Sequence, residues 1–214
     1  DFGIGTDSPV GIYTDGVYTG KTGGSMLNFN DVKRIEVLKG PQGTLFGRNA
    51  AAGAISIVTN EPVNRTEASG LVRLGSYGSQ HVEALVNTPL SDAVALRVSA
   101  ISQQDRGWAY NQWNGSHMGD SGDRGLRTAV RWQGNGSSAI LGFEHEVMRE
   151  AGPPVFSVTG GKINFGAPTT WTDPLKQPLI NDATPNMQSR TFDGVNLRIE
   201  HPLSFATLSS TTAY

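Results

Sequence analysis

From Ala68 to Leu208 apolar residues recur at every second position within short segments, and this period limits the fold more than any other property of the chain. Val72 and Leu74 alternate with Arg73, and Val82, Ala84 and Val86 alternate with Glu83 and Asn87. Val94, Leu96, Val98 and Ala100 oppose Arg97 and Ser99, while Leu126, Thr128, Val130 and Trp132 oppose Arg127 and Arg131. Leu141 and Phe143 oppose Glu144 and Glu146, and Val195, Leu197 and Ile199 oppose Asn196, Arg198 and Glu200. Successive side chains of a strand point to opposite faces, so each segment is a strand with one apolar and one polar face. Phe205 to Tyr214 adds a seventh strand.

A soluble sandwich satisfies the same period, so the connections must arbitrate. They are short at 88–92, long at 105–123, short at 133–138, long at 150–193 and short at 201–204. Only the first link, Gly75 to Gly78, is brief on the long-loop side. Membrane barrels have short periplasmic turns, long extracellular loops, an apolar lipid face and a polar lumen face. A sandwich, whether a soluble or an adhesive β-rich binding protein, gives no reason for loops to segregate by end. No run approaches the roughly 18 apolar residues of a membrane helix, which leaves strands of about 10 residues as the spanning element. Hydrophobic content is 37%, lean for a packed water-soluble core. Seven strands cannot close: an open sheet leaves unpaired edges in lipid, closed bacterial barrels have even strand numbers, and plugged ones reach about 22. The expectation is a segment of a larger antiparallel membrane β-barrel.

The first 62 residues read differently. Val10, Ile12 and Val17 flank the turn Thr14-Asp15-Gly16, which predicts two short strands. Tyr18 to Ser25 is glycine-rich and polar, the composition of a loop tip. Asn30 or Asp31 is expected to cap one helical turn, after which Ile35, Val37 and Leu38 read as a buried strand stopped by Gly40-Pro41. Thr44 to Gly47 fits another helical turn, and Ala54 to Val58 is a buried strand ended by Glu61-Pro62. Gly40, Gly43, Gly47 and Gly53 fall where the chain must reverse sharply. Together these make a small mixed α/β domain at 1–62, followed by barrel strands at 63–214.

Asp31-Val-Lys-Arg-Ile-Glu-Val-Leu-Lys-Gly-Pro-Gln-Gly-Thr-Leu-Phe-Gly, followed by Ala-Ala-Gly-Ala-Ile-Ser-Ile-Val-Thr, resembles the plug domain of TonB-dependent outer-membrane receptors. The resemblance implies the last part of an N-terminal α/β plug inside the bacterial outer membrane, and active uptake of a scarce nutrient with energy delivered by TonB. A ferric siderophore is the leading cargo, with a glycan, haem or cobalamin as alternatives and a surface signal-transducing receptor as another use of the same architecture. The implied partners are TonB with its energising complex, a small ferric chelate and outer-membrane lipid. Neither an enzyme activity nor a cofactor is implied.

Site residues follow from that resemblance. Tyr18, Lys21 and Thr22 match an apical plug loop, and Trp108 and Trp113 sit in a long loop, so these five are candidate cargo contacts: lysine suits an anionic chelate, the aromatic rings a sugar or aromatic chelator. Lys39 matches a basic position that meets acidic side chains of the barrel, with Arg48 beside it. Glu144 and Glu146, on one face of a strand, are its candidate partners in a plug–barrel contact. Trp108, Tyr110, Trp113 and Trp132 are candidates for aromatic girdles as well as loop packing.

Other motifs carry less. Gly16 to Thr22 has three residues between its glycines where a phosphate-binding loop needs four. His81, His117, His145 and His201 lack metal-ligand spacing. With 17 basic and 19 acidic residues the chain has no polyanion-binding signature, and with no cysteine it has neither a disulfide framework nor a thiolate site.

Overall fold

A computed structural model describes residues 9–19, 30–47, 50–111, 114–151 and 187–214. In its first part, β1 (Val10–Thr14) turns back into β2 (Val17–Tyr18). The turn is Asp15-Gly16, both at positive φ (49° and 81°), the geometry that aspartate and glycine tolerate and that matches the twist of a two-residue hairpin. Next come β3 (Val32–Lys39), the four-residue helical turn α1 (Gly43–Phe46) and β4 (Gly53–Thr59). The strands form one mixed sheet in the order β2-β1-β4-β3, with β1 parallel to β4 and the other pairs antiparallel.

Two expectations fail here. Residues 30–31 form no helical turn; the chain bends there, with Asp31 at φ 55°, and enters β3 directly. Its carboxylate is occupied by partners distant in sequence instead of capping local N–H groups. Ile35 and Val37, on the edge strand β3, are 46% and 64% exposed within this segment. The core lies under β1 and β4, where Tyr13, Ala54 and Ile57 are buried and Tyr13 packs its ring on Phe46 at 4.7 Å. Of the four expected turn glycines, Gly40 and Gly47 have φ of 83° and 75°, Gly43 instead opens α1, and a Cβ on Gly53 would lie 2.6 Å from the Leu38 carbonyl oxygen.

The second part is an antiparallel meander: β5 (Glu67–Leu74), β6 (Gln80–Pro89) and β7 (Val94–Asp105). A small hairpin, β8 (Ala109–Asn111) and β9 (Ser116–Met118), then stands in the long connection. β10 (Ser121–Gly134), β11 (Ser137–Ala151), β12 (Met187–Pro202) and β13 (Thr207–Ala213) complete the wall. The seven wall strands pair in the order β13-β12-β11-β10-β7-β6-β5, each with its sequence neighbour apart from the inserted hairpin. β10 and β11 join through Asn135-Gly136, again two residues at positive φ.

The faces divide as the sequence period requires. Val82, Val86, Leu126, Trp132, Leu141, Phe143, Val195 and Leu197 are exposed apolar side chains on one face. Asn87, Arg97, Ser99, Arg127 and Glu146 are buried polar side chains on the other. Large apolar groups outward and polar groups inward is the inverse of a soluble sheet and the pattern of a lipid-facing wall. Trp132 lies close to the short turn, its indole over Gly134, at girdle height.

Candidate plug–barrel interface

The polar face of the wall touches the small sheet through three arginines. Arg97 on β7 donates to Asp31 through Nε (2.6 Å to Oδ2) and Nη2 (2.6 Å to Oδ1), a bidentate fork, and its Nη1 donates to Glu67 at 2.8 Å. The two principal side chains are 9% and 4% exposed, so the charges meet out of water. Asn60 also donates to Asp31 Oδ1 at 2.9 Å, which holds the carboxylate from the side of β4. Planar forks of this type fix orientation as well as charge.

Arg127 on β10 donates through Nη1 to the Asn30 carbonyl (2.8 Å) and through Nε to Glu144 on β11 (2.8 Å). Arg198 on β12 donates to Glu61 at 2.6 Å, with Asp15 at 4.0 Å. Asp15 in turn accepts from the Thr59 N–H and hydroxyl at 2.9 and 2.7 Å, tying the β1–β2 turn to the end of β4. The linker after β4 is fixed by Asn87, whose side chain is wholly buried: its Nδ2 donates to the carbonyls of Val63 (2.7 Å) and Arg65 (2.5 Å), and its Oδ1 accepts from the Val63 N–H (3.0 Å). Asn64 donates to the Asp92 carbonyl in the β6–β7 turn.

The hydrogen bonds and ion pairs across the contact sit among inward-facing apolar side chains of the wall, Ala95, Ile101 and Ile140, which are buried as well. Thr14 Oγ1, Asn30 Nδ2 and Ser99 Oγ are buried there or nearby with no hydrogen-bond partner among the described residues. A narrow cavity of about 20 Å³ separates the two parts beside Asp15, Glu61, Arg127 and Glu144. Groups left unsatisfied cost stability, so this joint gains less from burial than an apolar one would.

The sequence leads one to expect plug cations meeting wall acids; among the described residues the charged contacts across the joint place wall guanidiniums on plug carboxylates and a plug carbonyl. Lys39 is exposed at the end of β3. Glu144 has Arg127 of the neighbouring strand as its partner and reaches the plug only through it; Glu146 is 1% exposed within the wall. Arg48 lies outside the described residues, as do Lys21, Thr22 and Trp113. Tyr18 packs its ring on Tyr13 at 5.5 Å, and Trp108 is exposed ahead of the β8–β9 hairpin, where Tyr110 makes an edge contact with His117. Among the described residues no cluster of acidic, histidine or cysteine side chains is arranged to hold a metal.

Comparison with known proteins decides what this arrangement is. Residues 2–54 match the family model of the TonB-dependent Receptor Plug Domain. The chain is the plug and the start of the barrel of a TonB-dependent receptor. Curated relatives of this TonB-dependent receptor segment include the catecholate siderophore receptor Fiu of Escherichia coli K12, 24% identical over 98% of the chain and 28% of that protein. Another is the pesticin receptor of Yersinia pestis, 32% identical over 50% of the chain and 16% of that protein. The segment thus spans little more than a quarter of the length of the first of these. Among solved structures, the closed form of the ferric-catecholate import receptor Fiu from E. coli K12 superposes with a TM-score of 0.73 at 23% identity, covering 98% of this chain and 29% of that one. The ferric yersiniabactin uptake receptor FyuA of Y. pestis gives 0.71 at 23% identity, covering 92% and 30%. The TonB-dependent receptor belongs in the outer membrane, and its family consists of transport receptors, not enzymes.

Proposed function

We propose that this receptor imports a ferric siderophore across the outer membrane, its plug yielding when TonB draws on it. The observation that carries the reading is the joint between plug and wall. It includes Arg97, Arg127 and Arg198 on Asp31, Asn30 and Glu61, contacts that are directional and separable. Buried ion pairs of this kind return little net stability because desolvation offsets their attraction, yet they define one seating. The relatives, a catecholate siderophore receptor and a ferric yersiniabactin uptake receptor among them, support the cargo class.

In this reading the plug runs to Pro62 and the wall begins at Val63, with Asn87 stapling the linker between them. Tyr18, Lys21, Thr22, Trp108 and Trp113 are the proposed cargo contacts. Lys39, Arg48, Glu144 and Glu146 remain proposed members of the plug–barrel contact, with Glu144 acting through Arg127.

The test is growth under iron limitation of a strain lacking the full-length receptor, complemented or not, on a panel of ferric siderophores, haem, cobalamin and oligosaccharides, with and without TonB. Receptor-dependent and TonB-dependent growth on one ferric siderophore is the expected result. Growth that depends on the receptor for a glycan alone, or that persists without TonB, overturns it.

A further inference from the structure

The two ions that meet at Arg97 each have a second partner on their own side of the joint. Arg97 donates Nε and Nη2 to Asp31 of the plug, and Nη1 to Glu67 of β5 at 2.8 Å. Glu67 belongs to the wall: it is the register partner of Asn87 on β6, and its other oxygen accepts from Arg65 at 2.6 Å. Arg65 is kept there by Asn87, which donates to its carbonyl. On the plug, Asp31 Oδ1 accepts from Asn60 at 2.9 Å as well as from Arg97. Arg127 repeats the arrangement. Its Nη1 reaches the plug at the Asn30 carbonyl, while its Nε donates to Glu144 on the adjacent wall strand. Arg198 differs: the carboxylates near it, Glu61 at 2.6 Å and Asp15 at 4.0 Å, both belong to the plug, and among the described residues it has no ion-pair partner on the wall.

Breaking a buried pair is destabilising mainly because the charge left behind has no counter-charge in a poorly solvated site. The Arg97 and Asp31 side chains are 9% and 4% exposed, so that cost applies to both when the plug is seated. Glu67 lowers it in two ways. When Asp31 withdraws, the guanidinium keeps a carboxylate at Nη1, and the repulsion between two carboxylates sharing one guanidinium is relieved. Asp31, for its part, carries the Asn60 amide with it.

We infer that Glu67 is a release residue of the plug: it takes over the Arg97 guanidinium as Asp31 withdraws, and Glu144 does the same for Arg127. The inference rests on the proposed reading in which the plug parts from the wall, and adds which wall side chains set the rate of parting. It also fixes a sign. A Glu67 that merely stiffened the joint would, once neutralised, leave the plug looser. A Glu67 that receives Arg97 leaves it, once neutralised, harder to withdraw.

The experiment pulls the full-length receptor, held in a lipid bilayer, at constant force through the chain ahead of Val10, with neither cargo nor TonB present, and reads the lifetime of the seated plug. Folding is followed by heat-modifiable migration. E67Q keeps the shape of the side chain and an acceptor for Arg97 but removes the charge. It is expected to lengthen the lifetime about fivefold or more, and E144Q to lengthen it less. D31N and E61Q, which neutralise the plug side, are expected to shorten it, and D31N/E67Q to part nearly as fast as D31N, since no charge is then withdrawn from Arg97. Should E67Q fail to fold, E144Q is read in its place. A lifetime equal to or shorter than that of the wild type in the folded glutamine variant overturns the inference. Growth on a panel of nutrients decides cargo and TonB, the lifetime decides Glu67, and neither result fixes the other.

Discussion

Asp31 on the plug and Arg97 on the wall meet through two parallel hydrogen bonds of 2.6 Å, although 66 positions separate them in the chain. Asp31 reaches this fork from a left-handed backbone conformation, φ 55°, which aspartate and asparagine tolerate better than most residues. Asp31→Asn therefore removes the charge with the backbone undisturbed, while Asp31→Ala adds strain. Removing one partner of a buried pair costs about 3–5 kcal/mol because the other charge is left unpaired. Arg97→Ala is expected at that level, and the double variant Asp31→Asn/Arg97→Ala at less than the sum of its singles. Denaturant titration with a spin label on exposed Glu36 measures the plug's contribution, and strict additivity would remove the pair from the joint.

Asn87 offers a second check. Its amide answers two carbonyls and one N–H of the linker, so Asn87→Ala strands three backbone groups at a cost of about 1–3 kcal/mol. Asn87→Asp is expected to be worse, since a carboxylate then faces the two carbonyls. The readout is tryptic cleavage after Arg65 in the folded receptor, which should accelerate in both variants and fastest in the aspartate.

Glycine positions separate close approach from mere flexibility. A Cβ on Gly53 meets the Leu38 carbonyl oxygen at 2.6 Å, whereas one on Gly43 meets nothing within 4 Å. Gly53→Ala is expected to pry β3 from β4 and destabilise the plug by about 1–3 kcal/mol, and Gly43→Ala to be neutral or slightly stabilising. Comparing denaturant midpoints of the two variants decides the matter; equal midpoints would contradict the close packing of β3 on β4.

Depth on the lipid face is testable by charge. Leu141 projects outward in the apolar band, where an arginine costs about 2–4 kcal/mol, falling to about 0–1 near the interfaces. Leu141→Arg should therefore lower the unfolding free energy of the refolded barrel by the larger amount and Gln104→Arg by the smaller. The reverse order would shift the membrane boundary away from Gln104.

Much of the wall was legible because alternation depends only on neighbours in the chain: Val94, Leu96 and Val98 show their face before any partner strand is known. Turns were legible for the same reason, Asp15-Gly16 and Gly43–Phe46 carrying local signals. The β8–β9 hairpin was missed inside its long loop, though the Asn114-Gly115 dipeptide in its connection is a turn signal. The joint was not legible. Arg97, Arg127 and Arg198 could be placed on the polar face, but which plug groups face them depends on how two sheets dock. For Asp31, a local rule for helix caps competed with a distant guanidinium and lost. Ile35 and Val37 misled because apolar composition does not say what covers a strand's face, and nothing in this segment covers theirs.

The pairing of β1 with β4 is parallel over five positions, Val10 with Gly53 through Thr14 with Ile57, and beyond Thr59 the linker is anchored to the wall by Asn87. Tension on the chain ahead of Val10, resisted at that anchor, pulls the two strands lengthwise in opposite directions. Such a load is a shear, shared among all the rungs at once, and cannot open them singly as a zipper opens. Under traction the β1–β4 seam is thus the part of the plug built to hold, and yielding falls to contacts outside it.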